Sequence, residues 1–221
     1  MKKALIFDSS PIITLALNDL LYILEPLKKK FGGEFYITDD VKHEIIDRPF
    51  RERRFMLESL FIKDLLEKGI LTLFSNLSLN KEKENIMKIA NHTFRSGQEY
   101  IKILHDGEVS ALALYNLLDI DKKAIVVDER TTRVLCEAPE NLRRILESKL
   151  HTKIEGNQKN YPMFKHFKIL RSSELGFMAY KLGIIDLPAK KREVMEALLY
   201  GFKYKGCTIS SREIDEEIGL A

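Results

Sequence analysis

Apolar residues along this chain fall into short runs separated by longer amphipathic stretches. Ala4-Leu5-Ile6-Phe7 reads as a buried strand ending at Asp8. Pro11 then suits the first turn of a helix, where its missing N–H does no harm. Leu20 to Lys30 continues helical and stops at Gly32-Gly33, and Phe35-Tyr36-Ile37 is a second strand. Thr38 or Asp39 can cap a helix that runs through Asp47, and Arg51 to Lys68 forms another, closed by Gly69. Ile70 to Phe74 is a third strand and Asn80 to Phe94 a polar helix. Gly107 to Asp119 is apolar around most of its surface, the mark of a central, buried helix. Ala124 to Val127 is a fourth strand, ending at Asp128, and helices follow to Lys149. His151 to Lys165 reads as a polar, weakly structured insertion, before a fifth strand at Phe167 to Leu170. Helices at Ser173–Leu182 and Lys190–Tyr204 precede a last one that opens on Ser210 and Glu213 in capping-box spacing.

Strands alternating with helices predict an α/β fold: right-handed crossovers and a mainly parallel sheet of about five strands, covered on both faces. The expected organisation is a core over residues 1–150. Residues 151–221 would add the insertion, the last strand and C-terminal helices packed on that core. At 221 residues a sizeable apolar core needs no staples. Cys136 and Cys207 stand far apart, in neither disulfide nor zinc spacing, which suits a reducing cytoplasm. No apolar run approaches the roughly 18 residues of a membrane span, so no membrane partner is expected. A net charge of +3 neither demands nor excludes nucleic acid.

The chemistry lies in the acids. In open parallel sheets, sites form outside the carboxyl ends of the strands, and two strands here end in aspartate, Asp8 and Asp128. Glu44 lies on the helix that starts at the same edge, and Asp106-Gly107-Glu108 opens the buried helix. Each acid has a structural alternative: Asp8, Asp106 and Asp128 as helix caps, Glu108 at a helix N-terminus, Glu44 in a surface pair. Together they point to one edge. Two carboxylates ~5 Å apart repel by roughly 3 kcal/mol at an effective dielectric of 20, so four ionised together need a cation. Oxygen donors without His or Cys select Mg²⁺ or Mn²⁺, the ions suited to phosphodiester hydrolysis. On this reasoning, neutralising Asp8 or Asp128 to asparagine should raise the stability of the metal-free chain.

These residues resemble the PIN-domain nucleases. Asp8-Ser9-Ser10-Pro11-Ile12-Ile13 looks like their opening motif, and Val41-Lys42-His43-Glu44-Ile45 like the second. Gly107-Glu108-Val109-Ser110-Ala111-Leu112 resembles a variant third motif, and Asp128-Glu129-Arg130 with Arg133 the fourth. The tail is similar to those of one prokaryotic, VapC-like branch. The resemblance implies a three-layer α/β/α sandwich and a Mg²⁺- or Mn²⁺-dependent endoribonuclease acting on single-stranded RNA. Asp8, Glu44, Glu108 and Asp128 would be catalytic metal ligands, with Asp106 sharing or replacing the part of Glu108. Ser10 would orient a carboxylate or water, and Arg130 and Arg133 would meet RNA or brace the acids. Implied partners are RNA, an antitoxin if the protein is a toxin, and a second copy of the chain. Two features depart from the pattern: Glu at the third position, and the long segment from Ala138 to His166. A haloacid-dehalogenase-type phosphatase is disfavoured, because Ser10 stands where that chemistry needs a second acid. A non-catalytic RNA-binding or scaffold protein of PIN fold is the main rival.

Overall fold

In the computed structural model, which describes residues 2–219, the chain forms one parallel sheet between two layers of helices. β1 (Lys3–Phe7) leads into α1 (Ser9–Leu17), a 3₁₀ turn (Leu21–Ile23) and α2 (Leu24–Phe31). β2 (Glu34–Thr38) leads into α3 (Asp39–Lys42), which widens into a π-helical turn (His43–Asp47) and then α4 (Arg48–Glu52) and α5 (Met56–Glu67). β3 (Thr72–Phe74), α6 (Ser78–Ala90), the short β4 (Phe94–Ser96) and β5 (Glu99–Tyr100), and α7 (Asp106–Leu117) follow. β6 (Lys122–Val126) precedes α8 (Arg130–Glu137) and α9 (Pro139–Leu150). β7 (Glu155–Gly156), a 3₁₀ turn (Gln158–Asn160) and α10 (Pro162–Lys165) bring the chain to β8 (Ile169–Leu170). The end is helical: α11 (Ser172–Lys181), α12 (Lys191–Tyr204) and α13 (Ser211–Gly219).

The main sheet has the order β3-β2-β1-β6-β8, and every neighbouring pair is parallel. Alternate residues of a strand face opposite sides, and the central strands obey this on two apolar faces. Leu5, Phe7 and Val126 enter one core with α1, α2, α5, α11 and α12. Ile6, Ile125 and Val127 enter the other with α6, α7, α8 and α10. The fold is therefore the three-layer α/β/α sandwich that the alternation of strands and helices implies. The chain order reverses between β1 and β6, which makes their carboxyl ends the switch point of the sheet. Among the described residues, no single helix is long and apolar enough to cross a membrane.

Three expectations need correction. The helix read from Arg51 to Lys68 is broken, because Arg53 and Phe55 both adopt left-handed backbone at φ 60° and 58°. α4 has no fully buried side chain, although Phe50 packs partly buried against the core. The helix read through Phe94 ends at Ala90, and Phe94 begins β4. Finally, the supposed insertion is ordered. β7 pairs antiparallel with β4, which also pairs with β5, and Ile154, Tyr161 and Phe164 are buried. Strands of two or three residues are too short to show a period, and Ile154 followed at a distance by the short run Tyr161 to Phe164 matches neither a helix nor a strand repeat. Phe164→Ala should therefore cost about 3–4 kcal/mol in urea unfolding, the cost of a core cavity. A truly peripheral insertion would lose less than about 0.5 kcal/mol.

Candidate functional site

Asp8 follows β1 directly, and its backbone N–H continues the sheet by donating to Val126 O at 3.0 Å. Its carboxylate caps α1: Oδ2 accepts from Ser10 N at 3.2 Å and from Ser10 Oγ at 2.6 Å. Ser10 Oγ also accepts from Asp128 N at 3.1 Å, so one hydroxyl ties the ends of β1 and β6 together. Glu44 sits in the wide π-helical turn after α3 and is half-buried. Thr38 caps α3 and shares a buried 2.7 Å hydrogen bond with Ser110, whose hydroxyl also reaches Gly107 O at 2.7 Å. These bonds seat the first turn of α7 against the end of β2. The consequence is visible at Gly107. A methyl group there would lie 3.1 Å from Glu44 Oε2 and 3.4 Å from Asp8 Oδ1. Gly107 thus leaves a cradle between two carboxylates that any larger residue would fill.

Glu108 closes the other side. Its Oε2 accepts from the His105 backbone N–H at 2.7 Å, as part of the α7 cap, and its Oε1 accepts from Thr132 Oγ at 2.8 Å. Burial pushes its pKa up to about 7, and the nearby charges of Asp8 and Glu129 add to the rise. Burial raises Asp8 as well; its hydrogen bonds to Ser10 offset part of this, and repulsion from Glu44 adds to it. Asp8, Glu44 and Glu108 therefore share one electrostatic environment at the switch point. Among the described residues, however, no three Asp, Glu, His or Cys side chains stand close enough to enclose a metal ion as they lie.

The remaining acids part company. Asp128 is fully buried, and its carboxylate faces α11 rather than the cradle: Oδ1 accepts from Ser172 N at 2.8 Å and Oδ2 from Ser172 Oγ at 2.7 Å. Thr208 N also donates to Asp128 O at 3.3 Å. Glu129 turns the opposite way. It caps α8 through Thr132 N at 3.0 Å and stands near enough to raise the Glu108 pKa. The Asp128-Glu129 doublet follows an extended strand, where successive side chains alternate sides. That alternation was the sequence signal that Glu129, not Asp128, faces Glu108. Asp106 is exposed and lines a surface cavity with Asn80, Lys83, Met87 and His92 of the α6 side, so Glu108 rather than Asp106 joins the cradle.

The supporting arginines are less engaged. Arg130 is exposed at the start of α8. Arg133 pairs with Glu137 at 3.3 Å, and its Nε is buried without a hydrogen-bond partner, so it does not brace the acids. Comparison with protein-family models, curated proteins and solved structures gives no match to this chain.

Two outcomes follow for the metal-free chain at pH 8. Asp8→Asn keeps an efficient cap and removes a desolvated charge, so the melting temperature should rise by a few degrees. Asp128→Asn should lower it, against the expectation from sequence. An amide offers one acceptor where Ser172 now supplies two donors, a loss of about 2 kcal/mol. Calorimetry of the two variants side by side separates these signs. Glu108 sets a pH dependence. Its folded pKa of about 7 lies above the ordinary 4.5, so the folded chain holds a proton that the unfolded chain releases between those values. Stability from this group is present below pH 4.5 and lost as pH rises through 7, by on the order of 3 kcal/mol. Urea titrations from pH 5 to 8 should show that decline, and Glu108→Gln should flatten it.

Proposed function

We propose that this chain is a divalent-metal-dependent endoribonuclease of the PIN type that hydrolyses phosphodiester bonds of single-stranded RNA in the cytoplasm. The observation that carries the proposal is the cradle at Gly107, where Asp8 and Glu44 converge beside a Glu108 whose pKa is raised to about 7. Carboxylates kept this short of compensating charge favour a hard cation, and their oxygens match the donors that Mg²⁺ or Mn²⁺ takes. Asp8, Glu44 and Glu108 would hold it, with Glu129 adjoining. The ion would supply positive charge against a phosphodiester in reaction and make water more acidic. Ser10 orients the Asp8 carboxylate. Glu108 binds a proton near neutral pH and gives it up as the site takes on positive charge. Arg130, exposed at the N-terminus of α8, would meet a phosphate, aided by the partial positive charge of that helix end. Toxin and RNA-processing roles would use the same site, the toxin with an inhibitory antitoxin as partner.

The rival, a non-catalytic RNA-binding protein of the same fold, draws on Asp128, which is engaged with Ser172 instead of the cradle. Cleavage decides between them. The purified chain should cut a fluorescent single-stranded RNA with Mn²⁺ or Mg²⁺ and stop with chelator. Asp8→Asn should reduce the rate by about 10³-fold or more. Gly107→Ala should fold and lose cleavage, since its methyl fills the cradle. RNA binding without metal-supported cleavage, equal in wild type and Asp8→Asn, would establish the rival.

A further inference from the structure

The small sheet of β4, β5 and β7 takes no part in the acidic cradle, yet it builds a cavity on the same side of the molecule. Asp106, the residue before Gly107, lines a groove along α6 that ends at His92. Beyond His92 the small sheet holds a 250 Å³ cavity walled by Tyr100, Arg95, Glu155 and Asn157. His92 is a wall of both, so the groove leads from the cradle into the cavity. Two distant parts of the chain fix its frame. Asn157 N donates to Thr93 O at 2.7 Å, and Ile101 N to Phe94 O at 2.9 Å. Asn160 Nδ2 donates to His92 O at 3.3 Å and to Thr93 Oγ1 at 3.2 Å. This frame holds up an aromatic pair: the rings of His92 and Tyr100 lie 4.6 Å apart, and Tyr100 is 53% exposed. His92 Nδ1 lies 2.6 Å from Lys88 O, which only accepts, so Nδ1 carries a proton and fixes the ring. Arg95 and Glu155 form the polar wall. Arg95 Nε and Nη2 both donate to Glu155 Oε2, at 2.8 and 2.5 Å. Among the described residues, Arg95 Nη1 and Glu155 Oε1 form no hydrogen bond, which leaves a donor and an acceptor side by side.

We propose that this cavity is a subsite for one unpaired nucleobase of the RNA strand, stacked on Tyr100 and hydrogen-bonded at its edge by the Arg95–Glu155 pair. The proposal takes its substrate from the endoribonuclease reading and rests on it to that extent. Charge does not supply the attraction here. Lys83 is already paired with Asp40, Glu84 and Asp106 offset Lys88 along the groove, and Arg95 and Glu155 neutralise each other. An aromatic face, a donor beside an acceptor and no net charge match a base better than a phosphate or a carboxylate. A duplex keeps its bases stacked on one another, so a single strand is the form that lends a base to such a cavity.

The test reads binding in chelator, with no cleavage, on the full chain and a short fluorescent single-stranded RNA of mixed sequence. Tyr100→Ala should weaken binding about tenfold, and Tyr100→Phe should keep wild-type affinity, since either ring stacks. The loss should be the same at about 50 and about 300 mM salt, because stacking, unlike phosphate pairing, releases no counterions. RNA carrying 4-thiouridine and 6-thioguanosine should photocrosslink to Tyr100 or His92 of the wild-type chain, with the site read by mass spectrometry. That arm uses no variant, so it stands whatever a substitution does to folding. A duplex of the same sequence should not crosslink there. Equal binding by Tyr100→Ala, a loss that vanishes at the higher salt, or crosslinks only elsewhere overturns the proposal. A chain that crosslinks at Tyr100 but never cuts RNA with Mn²⁺ keeps this subsite and ends the nuclease reading. A chain that cuts RNA and binds it without regard to Tyr100 does the reverse.

Discussion

Negative charge held out of water is the constraint around which this fold is arranged. Asp8, Glu108 and Asp128 are buried, and their hydrogen bonds come from hydroxyls and backbone N–H groups rather than from lysine or arginine. Helices that follow parallel strands start at the carboxyl edge, so α1, α8 and α11 all aim their positive ends there. α7, running back toward β6, starts at the same edge. Those dipoles and caps offset part of the cost of burial, and burial still raises the pKa of Asp8 and Glu108.

Much of the scaffold was legible in the sequence because it is written in periods and punctuation. β1, β2 and β6 carry short apolar runs that are buried toward their carboxyl ends. α7 reads as buried because it has no polar side. Gly32 and Gly69, both left-handed, mark ends of elements as expected. The small sheet of β4, β5 and β7 was not legible, since its strands are shorter than any period and β7 pairs with β4 across some sixty positions. The break at Arg53 was hidden as well, for the residues around it suit a helix and nothing among them marks the left-handed backbone of Arg53 and Phe55.

The acids divide along the same line. Asp8 and Glu108 were legible because each stands at a junction that local sequence defines, a strand end and a helix start. The partner of Asp128 was not, because Ser172 lies 44 residues away and reaches it only through the crossover of the sheet. Direction decided the rest: two neighbouring acids on an extended segment serve different layers, Asp128 the α11 side and Glu129 the α8 side. A count of acids at a sheet edge therefore overstates how many face one another.

Asp128 also gives the molecule an order of assembly. Its carboxylate is satisfied by the start of α11, and its carbonyl by Thr208, just before the last helix. α11 is held to that last helix in turn, by the Arg171 guanidinium, which binds both Glu174 and Glu213. A chain emerging from the ribosome would present β1, β6 and their acids long before these partners exist. Until the final helices dock, Asp128 would remain hydrated and the switch point open. The mature geometry of this edge thus depends on residues made well after the acid that they hold.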